Sequence, residues 1–363
     1  MSTFASTFSE NSVAVAGAGI IGLSVAWRLA QHGWSVHVFD SGPIGREASW
    51  AGAGMLSPGG EIEGPSSFAT LALESRRIYG AYIRELERAS GQPIDYQECG
   101  ALDLAYSPED LQSLEVRAEF QARVGITSQP LNGNQIRAQW PDVRLAGVAG
   151  ARFYFEDAIV NPRDVLSALA IACAQVGVSI VPQCAVLSIE ISANEVALRT
   201  AKGTEKHAAV VVAAGAWSGQ ITVPGVPPLP RSEPVKGHLI GYLQPPQTCP
   251  TIVRSAHTYL LQRANGLLIA GSSIEHVGFD REVDPEIVSR LAADAGSVFP
   301  HLLQTSPSYV WTGFRPASDA LHIGPWNSPR LYLAYGHYRN GILLAPETAR
   351  RLASEITANF GKR

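Results

Sequence analysis

The chain is poor in cysteine, has no excess of basic residues and contains no long uninterrupted apolar run. Its four cysteines, Cys99, Cys173, Cys184 and Cys249, are scattered through 363 residues and show neither C-x-x-C nor metal-ligand spacing. That pattern excludes a disulfide scaffold and points to a reduced, cytoplasmic protein with ordinary core cysteines and no metal site. Lys and Arg number 28 against 32 Asp and Glu, for a net charge of −4 and a pI near 6.1. No basic surface is available for nucleic acid or for an anionic membrane. The most apolar stretch, Val13 to Ala30, is interrupted by five Gly or polar residues and reads as strand plus helix, so no stable membrane insertion is expected. Residues 1–11 carry no Lys or Arg, and the expectation is that they are not a signal peptide. Neither internal repeats nor low-complexity tracts occur, and the length leaves room for two domains.

What is present is concentrated near the start. Val13 to Ala16 is a short run of small apolar residues, suited to a strand buried on both faces of a parallel sheet. Gly17, Gly19 and Gly22 follow at G-x-G-x-x-G spacing. The first glycine allows a tight turn, the second lets a pyrophosphate approach the backbone, and the third lets helix pack on strand. Leu23, Ala26, Leu29 and Ala30 recur at helical spacing up to Gly33. A second strand, Val36 to Phe39, then ends at Asp40, whose carboxylate is placed to accept hydrogen bonds from ribose hydroxyls. Strand, glycines, helix, strand and acid together predict a dinucleotide site. After a loop at 41–47, residues 48–56 are dense in Ala and Gly. They admit either a flat ligand lying close to the backbone or a tight helix–sheet contact without one.

Further along, Phe68 to Ala89 reads as a long amphipathic helix stopped by Gly91 and Pro93. From 91 to 150 the βαβ rhythm is lost, which suggests an inserted second unit. The rhythm resumes at Asn161, a helix cap with Pro162 at the first helical position. A hairpin-like pair is expected near 186–191 and 195–199. Ala208 to Val212 forms another buried strand running out into Ala213, Ala214, Gly215 and Trp217. Pro-rich 224–234 marks a crossing, and 235–307 reads as β-rich, with a hairpin turn at Asn265-Gly266. A last strand at 331–335 leads into a C-terminal helix with Pro346 at its start.

The glycine motif, residues 49–56, Val210 to Gly215, Gly313-Phe314-Arg315-Pro316 and the terminal Gly336-His337-Tyr338-Arg339-Asn340-Gly341-Ile342 resemble the FAD-dependent D-amino-acid-oxidase superfamily. The nearest branch is the glycine oxidases of thiamine biosynthesis. The resemblance implies an α/β fold: a Rossmann-like FAD-binding domain (1–90, 151–230 and 308–363) interleaved with an α+β substrate domain on a large antiparallel sheet (91–150 and 231–307). It implies noncovalent FAD, because the cysteine that tethers flavin in sarcosine oxidases has no counterpart after Cys249. FAD contacts are implied at Gly17, Ala18, Gly19, Ile20, Ile21, Gly22, Asp40, Ser41, Ser49, Ala51, Gly52, Ala53, Gly54, Met55, Val186, Ala213, Ala214, Gly215, Trp217, Arg315, His337, Arg339, Asn340, Gly341 and Ile342. Arg315 is implied as the clamp on the substrate carboxylate, with Tyr259 adding a second bond to it. His257 would line the pocket and Arg339 would stand beside the flavin, against the alternative of a structural ion pair. Two departures stand out: Asp40 replaces the family's usual Glu, and the loop 317–324 is short.

Two enzyme classes remain open at this level. One is an oxidase of glycine or another small amine that returns electrons to O2 as hydrogen peroxide. The other is a flavin dehydrogenase of D-amino or N-methyl amino acids with a different acceptor. A flavoprotein without turnover is disfavoured by the presence of Arg315 and Tyr259. By resemblance the partners are a small amino acid or amine, O2 and further copies of the chain in a dimer or tetramer.

Overall fold

The structure, a computed structural model, describes residues 11–361; most of the segment read against a signal peptide lies outside them. Strand β1 (Ser12–Ala16) is buried along its whole length. It leads through the glycine turn into helix α1 (Ile20–Gln31), which returns the chain to strand β2 (Ser35–Phe39), parallel to β1. On its other side β1 pairs in parallel with Ala209–Val212, which in turn pairs with Leu331–Tyr335. Ser179–Val181 and the antiparallel His322–Pro325 complete a six-stranded sheet at its two edges.

Alternation along β1 shows how this sheet is covered. Val13 and Val15 face α1 and the helices Ser67–Ser90, Pro162–Gln175 and Gly341–Phe360. Ala14 and Ala16 face the other way, onto a three-stranded antiparallel sheet (Val186–Ile191, Val196–Thr200, Gly203–His207) that brings Ile189, Val196 and Leu198 against them. Local signals set several helix ends. Asn161 Oδ1 accepts the N–H of Arg163 with Pro162 at the first position, and Gly91, at φ 69°, ends the long helix.

The second large sheet has eight strands, led by Tyr309–Ser318 and Ser232–Leu243. Next in order come the hairpin Leu267–Gly271 and Tyr259–Gln262, then Ile252–Arg254, Ala101–Ala105, Gly150–Tyr154 and Ser128–Leu131. It is antiparallel except at one place, where Ile252–Arg254 runs parallel to Ala101–Ala105. Of its strands, Gly150–Tyr154 falls across the segment limit expected at 150, and Tyr309–Ser318 lies wholly in the segment expected from 308.

Pro346 corrects an expectation: it lies inside the helix Gly341–Phe360, not at its start. A proline there deprives the Ile342 carbonyl of its intrahelical donor. Tyr79 Oη donates to that carbonyl at 3.2 Å, and Ser75 Oγ donates to the next one, of Leu343, at 2.6 Å. The long helix therefore repairs the break from outside. Among the described residues no helix is long and apolar enough to cross a membrane, and no cluster suited to a metal ion occurs. The four cysteines are free.

Two buried histidines make the fold sensitive to acid. His207 is 2 % exposed, with neither ring nitrogen hydrogen-bonded. Burial, reinforced by His37 beside it, lowers its pKa to about 4, and burial alone takes His337 to about 3. In the unfolded chain each takes a proton below about pH 6.5, whereas the folded imidazoles stay neutral. Unfolding therefore gains protons as pH falls, and stability is lost from about pH 6.5 downward. Going from pH 7 to pH 5 should cost about 2 kcal/mol for each histidine. Urea melts should show His207→Phe losing distinctly less stability over that interval than the parent; an unchanged loss would remove His207 as a source.

Candidate active site

The site begins where β1 ends. Gly17 has φ 112°, and a Cβ on it would stand 2.3 Å from the Ala213 carbonyl oxygen, so only glycine fits this crossing of β1 and its parallel neighbour. Its N–H donates to the Phe39 carbonyl at 2.7 Å. The start of α1 is capped from outside: Ser49 Oγ accepts the N–H of Ile20 at 3.0 Å. Gly19 and Ile21 face the crevice at this helix N-terminus, where backbone N–H groups and the helix dipole favour a phosphate. Both Asp40 oxygens already accept backbone N–H groups, Oδ2 from Ala18 at 2.6 Å and Oδ1 from Gly42 at 2.8 Å. Burial raises the Asp40 pKa against the pull of those two bonds. Each oxygen retains a lone pair for a ribose hydroxyl.

From this crevice a cavity of about 630 Å³ extends to the eight-stranded sheet. Of the site residues expected from the sequence, all line it except Ala18 and Gly22. Ala18 is fully buried and engaged by Asp40, and Gly22 packs beneath Gly17. Residues 48–56 make the tight contact and also face the cavity. Ala51 sits against Gly313 and Ile342 against Gly52, while the same stretch lines the cavity. Its carbonyls are held by other parts of the chain: Ala51 by Trp311 Nε1 at 2.8 Å, Gly52 and Ala53 by Arg263 Nη2 at 3.2 and 3.4 Å, and Gly54 by the Val160 N–H at 2.9 Å. A glycine-walled crevice, an open helix start, a ribose-ready carboxylate and a flat wall of small residues fit FAD from pyrophosphate to ring system.

At the far end stands Arg315, on Tyr309–Ser318. Its Nη1 donates to the Ser273 carbonyl at 3.0 Å and to the Lys236 carbonyl at 3.4 Å, and its Nη2 donates to Ser272 Oγ at 2.7 Å. Among the described residues no carboxylate forms an ion pair with it. The guanidinium lies flat over Gly237, where a Cβ would come within 2.4 Å of both terminal nitrogens. Tyr259, three strands along the same sheet, has its hydroxyl over Gly271 of the strand beside its own. Burial raises the Tyr259 pKa, and the Arg315 charge works against that rise.

The remaining expected residues differ in their surroundings. His257 is exposed at the rim, and its imidazole makes no hydrogen bond to the described residues. His337 is buried, with Nε2 3.1 Å from Thr348 Oγ1. Arg339 takes the ion-pair arrangement: its Nη2 donates to Glu61 Oε2 at 2.8 Å, and Asn340 Nδ2 reaches the same oxygen at 3.3 Å. Glu61 lines the cavity and was missed, as were Arg263 and Trp311. No local pattern marks any of the three, because each acts on a partner remote in sequence. Phe279 was missed as well. It stacks on Trp217 with ring centroids 4.7 Å apart, and Arg281 of the same segment pairs with Glu47 at 2.8 Å.

Known proteins share this chain's sequence and fold over nearly its whole length. The chain is 31 % identical to a glycine oxidase of Bacillus licheniformis over 349 residues, covering 95 % of this chain and 92 % of that one. It is also 31 % identical over 360 residues to the bifunctional protein ThiO/ThiG of a Synechocystis strain, covering 96 % of this chain and 52 % of that longer protein. The crystal structure of glycine oxidase from Geobacillus kaustophilus superposes with a TM-score of 0.90 at 30 % identity, covering 95 % of this chain and 94 % of that one. Residues 12–355 match the sequence profile of the DAO family of FAD dependent oxidoreductases, and the chain belongs to that family.

Proposed function

We propose that this enzyme oxidises glycine, or an amino acid or amine of similar size, to the imine. The observation that carries the reading is Arg315: a cavity-lining guanidinium, oriented by Ser272, Ser273 and Lys236, with no acidic partner of its own among the described residues. A planar fork of this kind binds a carboxylate through two parallel bonds and so fixes its orientation. Tyr259 supplies a further O–H donor from the same sheet. Together they hold the substrate by its carboxylate and so restrict how its Cα is presented. FAD held by the glycine crevice, Asp40 and the wall of residues 51–54 would supply a two-electron acceptor for the α-hydrogen, with O2 as the final acceptor and hydrogen peroxide as its product. Water then converts the released imine to oxo acid and ammonia.

The acids lining the cavity are already engaged. Asp40 holds two backbone N–H groups, Glu47 pairs with Arg281, and Glu61 pairs with Arg339. His337 is neutral and bound to Thr348. His257 lines the cavity without such a partner but stands exposed at its rim. Within the buried part of the cavity the substrate amine is therefore read as losing its proton without a dedicated protein base. The likeness to glycine oxidases, and to one half of a bifunctional ThiO/ThiG protein, supports a role in supplying thiamine biosynthesis. Assembly into a homo-oligomer, expected from the family, belongs to the same proposal.

Three outcomes follow. Acid or heat should release all the flavin as FAD; flavin that stays on the denatured chain would mean a covalent link that the cysteines do not explain. Arg315→Ala should lower kcat/KM for glycine by at least about 3 kcal/mol, through loss of the carboxylate's partner. Normal anaerobic flavin reduction by glycine in that variant, with FAD retained, would show that Arg315 is not the clamp. Gly237→Ala leaves the guanidinium in place chemically but displaces it, so KM should rise about tenfold or more with FAD binding unchanged. An unaltered KM would separate Arg315 from substrate binding.

A further inference from the structure

Arg263 closes the strand Tyr259–Gln262 at its hairpin turn and is 3 % exposed. Its Nη2 holds the carbonyls of Gly52 and Ala53, and its Nε is buried without a partner. Among the described residues no carboxylate forms an ion pair with it. The acids acting on it from a distance are Asp164 and Asp95, and both are engaged elsewhere. Asp95 accepts from the Ala264 N–H and from Gln97 Nε2, each at 2.8 Å, and Asp164 accepts from the Asp95 N–H at 3.2 Å. Arg163, lying 3.7 Å above the Trp50 ring, opposes it with a like charge. Burial, with that opposition, lowers the Arg263 pKa to about 10, so it remains a cation at neutral pH.

A buried guanidinium whose direct partners are two peptide carbonyls is costly unless negative charge meets it elsewhere. The two peptides show where. In a planar trans peptide the C=O and N–H point in opposite directions. With the Gly52 and Ala53 carbonyls turned onto Arg263, the N–H groups of Ala53 and Gly54 are turned away from it, on residues that line the cavity. Neither N–H has an acceptor among the described residues, whereas the Gly52 N–H is taken by the Ala48 carbonyl at 3.0 Å.

We propose that Arg263 is a positioning residue for the flavin: it orients two backbone N–H donors into the cavity and places a fixed positive charge behind them, so that the electron-rich reduced ring is favoured. The inference rests on the reading that this cavity holds FAD, and it goes beyond the substrate clamp. Nothing in it requires Arg263 to touch the ligand. Charge placed ahead of the reaction in a water-excluded wall acts more strongly than the same charge in solvent.

The test uses the holoenzyme and its Arg263→Met and Arg263→Lys variants. Two quantities are read: the midpoint potential of bound flavin, by equilibration with a reference dye, and the FAD dissociation constant. Arg263→Met should lose at least tenfold in preference for reduced flavin, a fall of about 30 mV for a two-electron couple, and should bind FAD at least tenfold more weakly. Arg263→Lys keeps the charge and loses the fork. Its potential should stay within about 10 mV of the parent, a change of about twofold, while FAD binding weakens at least threefold. A potential in Arg263→Met equal to the parent's would overturn the proposal. So would a fall of 30 mV or more in Arg263→Lys, which decides the matter if the methionine variant does not fold. Failure of the parent to oxidise glycine would sink the substrate reading and leave this comparison of potentials standing.

Discussion

Two backbones meet at Gly17 and Ala213 with no space for a side chain between them, and the cofactor half of the molecule is arranged around that contact. Such proximity requires β1 to be built from small residues, and Val13 to Ala16 supply them. It requires both faces of the six-stranded sheet to be covered, which the helices do on one side and the three-stranded sheet on the other. It leaves a ligand one place to lie, at the carboxyl ends of the parallel strands, where the helix start and Asp40 already point.

The other half of the cavity obeys a different logic. On the crevice side, recognition is done by backbone groups on a frame that admits little variation. At the eight-stranded sheet it is done by a few side chains, chiefly Arg315 and Tyr259, each made possible by a neighbour that lacks a side chain, Gly237 and Gly271. The stretch 51–54 joins the two regimes. Trp311 and Arg263 reach across from the eight-stranded sheet to hold its carbonyls, so that the wall belongs structurally to both sheets.

What could be read from the sequence was what is determined locally. The glycine turn, the Asn161-Pro162 helix start and the hairpin at Asn265-Gly266 depend on residues within a few positions of one another, and each stands where its chemistry placed it. Nearly all the residues singled out from the motifs line the cavity as well, because motif residues are close in sequence. What escaped were partnerships across long separations. The Glu61–Arg339 ion pair, the grip of Arg263 on Gly52 and Ala53, and the parallel pairing of Ile252–Arg254 with Ala101–Ala105 leave no periodic trace. Pro346 is the instructive case. Proline argues locally for a helix start, and only Tyr79, on a different helix, makes the interior position tolerable.

The interleaving of the two sheets has a consequence for how the protein comes into being. Val13 pairs with Val36 early but with Ala209 only later, and Val210 with Leu331, so the central strands of the cofactor crevice are completed late in synthesis. At ordinary ribosomal speeds the wait between β1 and its neighbour at 209–212 is roughly 10–40 s. Through that interval the first strand leaves the ribosome with an open edge and no crevice beside it. Cofactor capture is therefore an event of the finished chain, and the growing chain must be kept from aggregating by other means until then.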